Sequence, residues 1–148
     1  MKNDTNSLII IVEDSPEDYD TTIRAFKKVG MNNKVIRFEM GDECLDYLFG
    51  RGKFEGEKIL FPGLILLDLN LPGIDGREVL KIIKSDLNLK KIPVVVLTTS
   101  NDIRDIEKCY QLGANSYIQK PVGFEGFINA IIKLKEYWFE ISILPKAP

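Results

Sequence analysis

Residues 64–76, Leu-Ile-Leu-Leu-Asp-Leu-Asn-Leu-Pro-Gly-Ile-Asp-Gly, constrain the fold of this chain more than any other stretch. Four apolar residues run into Asp68 without a polar break. That is the pattern of a strand covered on both faces, and such strands belong to parallel sheets flanked by helices. Pro72-Gly73 and Asp75-Gly76 then force a tight loop. In an open parallel sheet the chemistry sits in the crevice beyond the carboxyl ends of the strands, so Asp68 stands where a reactive group would be placed.

The flanking segments supply the rest of such a sheet. Residues 8–12 form a second fully apolar run, closed by Glu13 and Asp14, and residues 93–97 form a third, closed by Thr98-Thr99-Ser100. Two further segments are mixed: 35–40, with Ile36, Phe38 and Met40 on one side, and 115–119, which ends in Lys120-Pro121. Mixed strands suit sheet edges. Between them lie helical patterns. One runs from about 16 to 29 behind the N-cap Ser15, and a short one carries Cys44, Leu45, Leu48 and Phe49 on its inner stripe. Another opens at Asp75 with capping-box spacing to Glu78, a fourth runs from about 102 to 112, and the last starts near Phe124. Strands alternating with helices give a doubly wound α/β sheet of five parallel strands in the order 2-1-3-4-5, as in flavodoxin.

At 148 residues the chain fits one domain, with residues from about 140 to 148 as a C-terminal extension. A net charge of -2 and a pI near 5.3 argue against nucleic acid as the main partner, because that partner demands concentrated positive charge. The run at 8–12 is too short for a signal peptide or a membrane span, so a cytoplasmic location without membrane contact is expected. Cys44 and Cys109 sit among apolar residues and read as core thiols rather than a disulfide or metal pair.

In the order 2-1-3-4-5 the three central strand ends bring Glu13, Asp14 and Asp68 together, with Thr98 and Lys120 close by. Three carboxylates in one crevice repel each other, which either raises their pKa values or calls for a divalent cation; all-oxygen ligands suggest Mg2+. Each signal alone has a plain alternative: helix-capping acids for Glu13-Asp14, β propensity for Thr98, a surface charge for Lys120. Together they suit phosphoryl transfer to a carboxylate, with Asp68 as nucleophile and a lysine and a hydroxyl on the phosphoryl oxygens.

On these residues the chain resembles the receiver domain of two-component response regulators. The resemblance covers nearly the whole chain, and Thr98 and Lys120 stand 30 and 52 residues past Asp68, as in receivers. It implies that Asp68 accepts a phosphoryl group from the phosphohistidine of a histidine kinase. It implies that Glu13, Asp14, Asp68 and the backbone carbonyl of Asn70 hold Mg2+. Thr98 and Lys120 would contact the phosphoryl group, and Tyr117 would act as an aromatic rotamer switch. Such a domain catalyses its own phosphorylation and dephosphorylation without being a conventional enzyme. The residue 50–62 loop lengthens the interval between Asp14 and Asp68, Thr99 stands where a smaller residue is frequent, and Gly123 replaces a frequent helix-capping aspartate. The long loop and the ending Tyr-Trp-Phe-Glu-Ile-Ser-Ile-Leu-Pro look like the phytochrome-associated single-domain receivers of cyanobacteria, which makes a phytochrome the expected kinase.

Two alternatives differ in class. A haloacid-dehalogenase-like phosphatase would need a second aspartate two residues after the nucleophile, where Asn70 stands. A receiver-fold adaptor would bind partners without phosphorylation. Two structural expectations follow as well. Lys120-Pro121 is expected to be cis, so that the lysine turns back into the crevice. The last helix carries Phe127, Ile128, Ile131, Ile132, Leu134, Tyr137, Trp138, Phe139 and Ile141 on an arc of roughly 220° at 100° per residue. That exceeds what one sheet needs covered, so a homodimer through this helix and the tail is expected, unless residues 141–144 fold back over the surplus.

Overall fold

The computed structural model describes residues 7–147, so both ends of the expected single unit, 1–6 and 148, lie outside the described residues. Five strands, β1 (Ile9–Val12), β2 (Val35–Phe38), β3 (Leu64–Leu67), β4 (Val94–Thr98) and β5 (Ser116–Gln119), form one parallel sheet in the order β2-β1-β3-β4-β5. Five α-helices connect and cover them: α1 (Pro16–Lys28), α2 (Gly41–Phe49), α3 (Gly76–Ser85), α4 (Ile103–Leu112) and α5 (Phe124–Lys135).

The three central strands are buried at every position, and their pleat divides the core in two. Ile10, Val12, Ile65, Leu67, Val94 and Val96 pack with α2, α3 and α4, whereas Ile9, Ile11, Leu64, Leu66 and Val95 pack with α1 and α5. This explains why the sequence shows apolar runs there rather than alternation. The edge strands are half-buried, as their mixed composition requires.

Local chemistry sets the helix ends. Ser15 Oγ accepts the Asp18 N–H at 3.2 Å, and Pro16 occupies the first helical position. Asp75 Oδ1 accepts the Arg77 N–H at 2.8 Å and Asp102 Oδ1 the Arg104 N–H at 2.8 Å, while Gly113 closes α4 in the left-handed conformation. Gly123 caps α5 without any side-chain hydrogen bond.

Three expectations change. In α2, Tyr47 rather than Phe49 faces inward; Phe49 lies at the surface. The reason is the 50–62 loop, which folds back through a 3-10 turn (Gly52–Phe54) so that Phe54 meets the Tyr47 and Phe38 rings edge-on. The Tyr47 hydroxyl accepts the Leu60 N–H at 3.0 Å and donates to the Leu60 carbonyl at 3.3 Å, closing the loop. Beyond Lys135 the chain continues as a π-helical segment (Glu136–Ile141), so the 100° spacing assumed for the final arc no longer holds. Phe139 turns into the core, Trp138 and Leu144 pack against the same cluster, and only Tyr137, Ile141 and Ile143 stay exposed. Finally, no cis peptide bond occurs among the described residues, so Lys120-Pro121 is trans. The Lys120 N–H still donates to the Thr98 carbonyl at 2.6 Å, and this strand pairing carries the side chain to the crevice without a reversal of the backbone.

No helix among the described residues is long and apolar enough to cross a membrane. Close packing at the start of α3 fixes the segment after Asp68: a Cβ on Gly76 would overlap the Asp68 carbonyl oxygen and lie 2.6 Å from Leu69 Cα, both rigid backbone atoms. Gly76→Ala is therefore expected to destabilise the protein by about 2 kcal/mol or more, measured by urea unfolding; an unchanged midpoint would show that the helix shifts freely.

Candidate functional site

The carboxyl ends of β1, β3, β4 and β5 converge on one crevice. Glu13 and Asp14 leave β1, Asp68 leaves β3, Thr98 ends β4, and Lys120 follows β5. The structure brings the side chains of Glu13, Asp14, Asp68 and Lys120 together, and Thr98 adjoins them through the Lys120 N–H on its carbonyl. Ligand atoms of Glu13, Asp14 and Asp68 lie within 4.8 Å of one another. Among them projects Lys120, whose side chain is only 6% exposed. Its Nζ donates to Glu13 Oε1 at 2.7 Å, Asp18 Oδ2 at 2.7 Å and Asp68 Oδ2 at 3.2 Å.

Charge and burial pull against each other here. Burial pushes the Glu13 carboxyl up to about 7 against the lowering effect of its bond to Lys120, and the nearby Asp68 charge raises it further. Burial opposes the charge on Lys120, but the hydrogen bonds to Asp18 and Glu13 and the charges around it win, and its pKa is raised. The raised Glu13 value disfavours the ion pair and the raised Lys120 value favours it; with contacts of 2.7 Å to two carboxylates, the ammonium is firmly charged. The remaining strain falls on Glu13, a buried carboxylate short of positive charge.

The fit to a hard divalent ion follows from the donor set, three clustered carboxylates with no sulfur or imidazole among them. The two cysteines contribute nothing: both are buried free thiols, and burial pushes Cys44 up to about 12. Beside the cluster, Thr98 Oγ1 is buried without any hydrogen-bond partner. A buried hydroxyl without a partner is costly and remains free to bond an oxygen ligand.

The remaining expected residues lie at the rim. Asn70 is exposed, and its N–H donates weakly to Asp68 Oδ1 at 3.4 Å. Thr99 is exposed. Tyr117 is half-buried, with its hydroxyl donating to the Ser100 carbonyl at 2.9 Å and its N–H donating to the Tyr110 hydroxyl at 3.1 Å. Ser100 Oγ in turn donates to Asp105 Oδ2 at 2.7 Å, and Arg77 bridges Asp105 and Asp75. These contacts join the loop after β4 to α3, α4 and β5.

Sequence reasoning missed Asp18 as a member of this site. It lies in the first turn of α1, where an acid is amply explained by the helix dipole. No local signal separates it from a capping acid, because its partner Lys120 lies 102 residues further along the chain.

Residues 9–132 match the family model of the response regulator receiver domain. The chain is 40% identical to the probable methanogenesis regulatory protein FilR2 of Methanothrix harundinacea, over 88% of this chain and 83% of that protein. It is 36% identical to the response regulator Rcp1 of Synechocystis, over 99% of this chain and 100% of Rcp1. Among solved structures, the phosphorylated cyanobacterial phytochrome response regulator RcpA superposes with a TM-score of 0.87 at 38% identity, covering 95% of this chain and 99% of RcpA. The Mn(2+)-bound form of Rcp1 gives 0.86 at 36% identity, over 95% of this chain and 99% of that one. A strand order of 2-1-3-4-5, acids and a lysine gathered at its carboxyl edge, and matches over nearly the full chain lead to one conclusion: this protein belongs to the response regulator receiver family of two-component signalling.

Proposed function

We propose that this receiver accepts a phosphoryl group on Asp68 from the phosphohistidine of a histidine kinase and thereby changes its surface for a partner or a further transfer. The observation that carries the reading is the Lys120 ammonium 3.2 Å from Asp68, with Thr98, whose buried hydroxyl has no partner, at the end of the neighbouring strand. In the transfer an Asp68 carboxylate oxygen forms a bond to phosphorus as the N–P bond of the donor breaks, and the electron pair returns to the donor imidazole. Lys120 and Thr98 would receive the phosphoryl oxygens, offering a charge and a hydroxyl where negative charge gathers. Glu13, Asp14, Asp68 and the Asn70 carbonyl would hold Mg2+, which when bound screens the charge between donor and acceptor. The Mn(2+)-bound state of Rcp1 and the phosphorylated state of RcpA support this assignment. The phytochrome response regulator RcpA supports a phytochrome as the kinase, and the cytoplasm is the proposed site of action. Movement of Thr98 toward the phosphoryl group would free space for Tyr117 to leave Ser100 and turn inward, shifting a two-state equilibrium.

Incubation with acetyl phosphate and Mg2+ is expected to add one alkali-labile phosphoryl group, seen by intact mass, and Asp68→Asn to abolish it. Labelling of that variant at wild-type stoichiometry would refute the assignment. No labelling of the wild type would favour a receiver-fold adaptor.

The pH dependence follows from Glu13. Its folded pKa of about 7 exceeds its ordinary value of 4.5, so between these values the unfolded chain gives up this proton first. It then binds fewer protons than the folded state, and stability falls as pH rises. The metal-free wild type is expected to lose melting temperature from pH 5 to pH 7 relative to Glu13→Gln, while Mg2+ affinity rises over the same interval. Parallel pH profiles for the two proteins would contradict the burial argument.

The association surface is narrower than the full arc of the last helix. Tyr137, Ile141 and Ile143 are exposed close together in sequence, and receivers often pair through the fourth helix, fifth strand and fifth helix. A homodimer through the end of α5 and the tail is the reading these residues support. Light scattering over a dilution series is expected to show a dimer that Tyr137→Ser combined with Ile141→Ser disrupts. A wild-type monomer at high micromolar concentration would defeat this part.

A further inference from the structure

An ammonium has three N–H donors, and Lys120 directs them at Glu13, Asp18 and Asp68. Two of these acceptors belong to the carboxylate cluster suited to a divalent ion; Asp18 does not. The same two carboxylates, Glu13 and Asp68, are thus offered to two cations that repel each other. A dication seated among Glu13, Asp14 and Asp68 draws on the negative charge that attracts Lys120, and at short range it pushes the ammonium away. With its side chain 6% exposed, that ammonium has little water to turn to.

We propose that Asp18 is a positioning residue that holds Lys120 Nζ in the crevice when Glu13 and Asp68 are engaged by metal, so that a donor stays aimed at the incoming phosphoryl group. Its backbone is suited to the task. The Asp18 N–H is fixed by Ser15 Oγ at 3.2 Å, and its carbonyl accepts from Thr22 Oγ1 at 2.9 Å. The carboxylate therefore projects from a pinned helical turn rather than from a loop. Its side chain is 40% exposed, so water covers its outer side while Oδ2 reaches Lys120 at 2.7 Å. Asp18 is bound to the lysine as tightly as Glu13 is, and more tightly than Asp68 at 3.2 Å. Two short contacts anchor the ammonium and the longest one points to the acceptor carboxylate. Asp18 is the short contact that lies outside the metal cluster.

This deepens the phosphoryl-acceptor reading and rests on it only for its kinetic arm. The first test is 15N NMR of the lysine ammonium groups, with Lys120→Met assigning the signal. In the wild type the Lys120 ammonium is expected to stay protected from hydrogen exchange with and without saturating Mg2+. In Asp18→Asn it should stay protected without Mg2+, where Glu13 holds it, and exchange about tenfold faster or more with Mg2+, matching the loss of a charge-assisted hydrogen bond. Asp18→Glu should restore part of the protection. Equal protection in wild type and Asp18→Asn at saturating Mg2+ overturns the proposal. A purely structural role is separated by melting temperature, which should be similar in the two variants. In the second test, Asp18→Asn at saturating Mg2+ should react with acetyl phosphate about tenfold more slowly. A wild type that does not react sinks the acceptor reading, while the NMR result still decides the role of Asp18.

Discussion

A single buried ammonium holds the working edge of this sheet together. Lys120 ties the end of β5 to the ends of β1 and β3 and to the first turn of α1. Without it Glu13 and Asp68, nearly buried, would face each other uncompensated. Breaking a buried pair by removing one partner typically costs about 3–5 kcal/mol, because the remaining charge cannot reach water. The crevice tolerates so many acids only because a cation reaches it from the far side of the sheet, and there the needs of stability and of chemistry coincide.

The apolar strands explain why that cation can be placed so closely. Each central strand is buried on both faces, so a one-residue slip of any of them would drive its end residue out of the crevice and exchange its two core faces. Val12 pairs with Leu67 and Leu67 with Val96, which sets Glu13 and Asp68 level at the sheet edge. Gly76 allows α3 to begin against the backbone of Asp68 and Leu69, and this holds the end of β3 from the other side.

Much of this was legible in the chain because the signals are local. Uninterrupted apolar runs mark the central strands, and Ser15, Asp75 and Asp102 announce their helices through hydrogen bonds within three residues. What escaped is non-local. Asp18 bonds a residue 102 positions away, and nothing in its neighbourhood distinguishes it from a capping acid. Tyr47 displaces Phe49 from the α2 stripe because a loop thirteen residues on supplies Leu60 as its partner. The burial of Phe139 depends on a change of helical pitch after Lys135, which ideal spacing does not foresee. Lys135 itself shows the same limit: its Nζ donates to the Val29 carbonyl at 2.9 Å, satisfying the end of α1, so a charge within the apolar arc is a cap for another helix.

The crevice draws on positions 13, 14, 18, 68, 98 and 120, so its parts leave the ribosome over most of the time of synthesis. A nascent chain that has paired β1, β2 and β3 already carries the four acids Glu13, Asp14, Asp18 and Asp68, and it lacks the lysine until β5 has emerged. Until then the acidic edge is unbalanced and the sheet's last strand is missing. The charge balance of this edge is therefore complete only once the chain has folded from its first strand through its last.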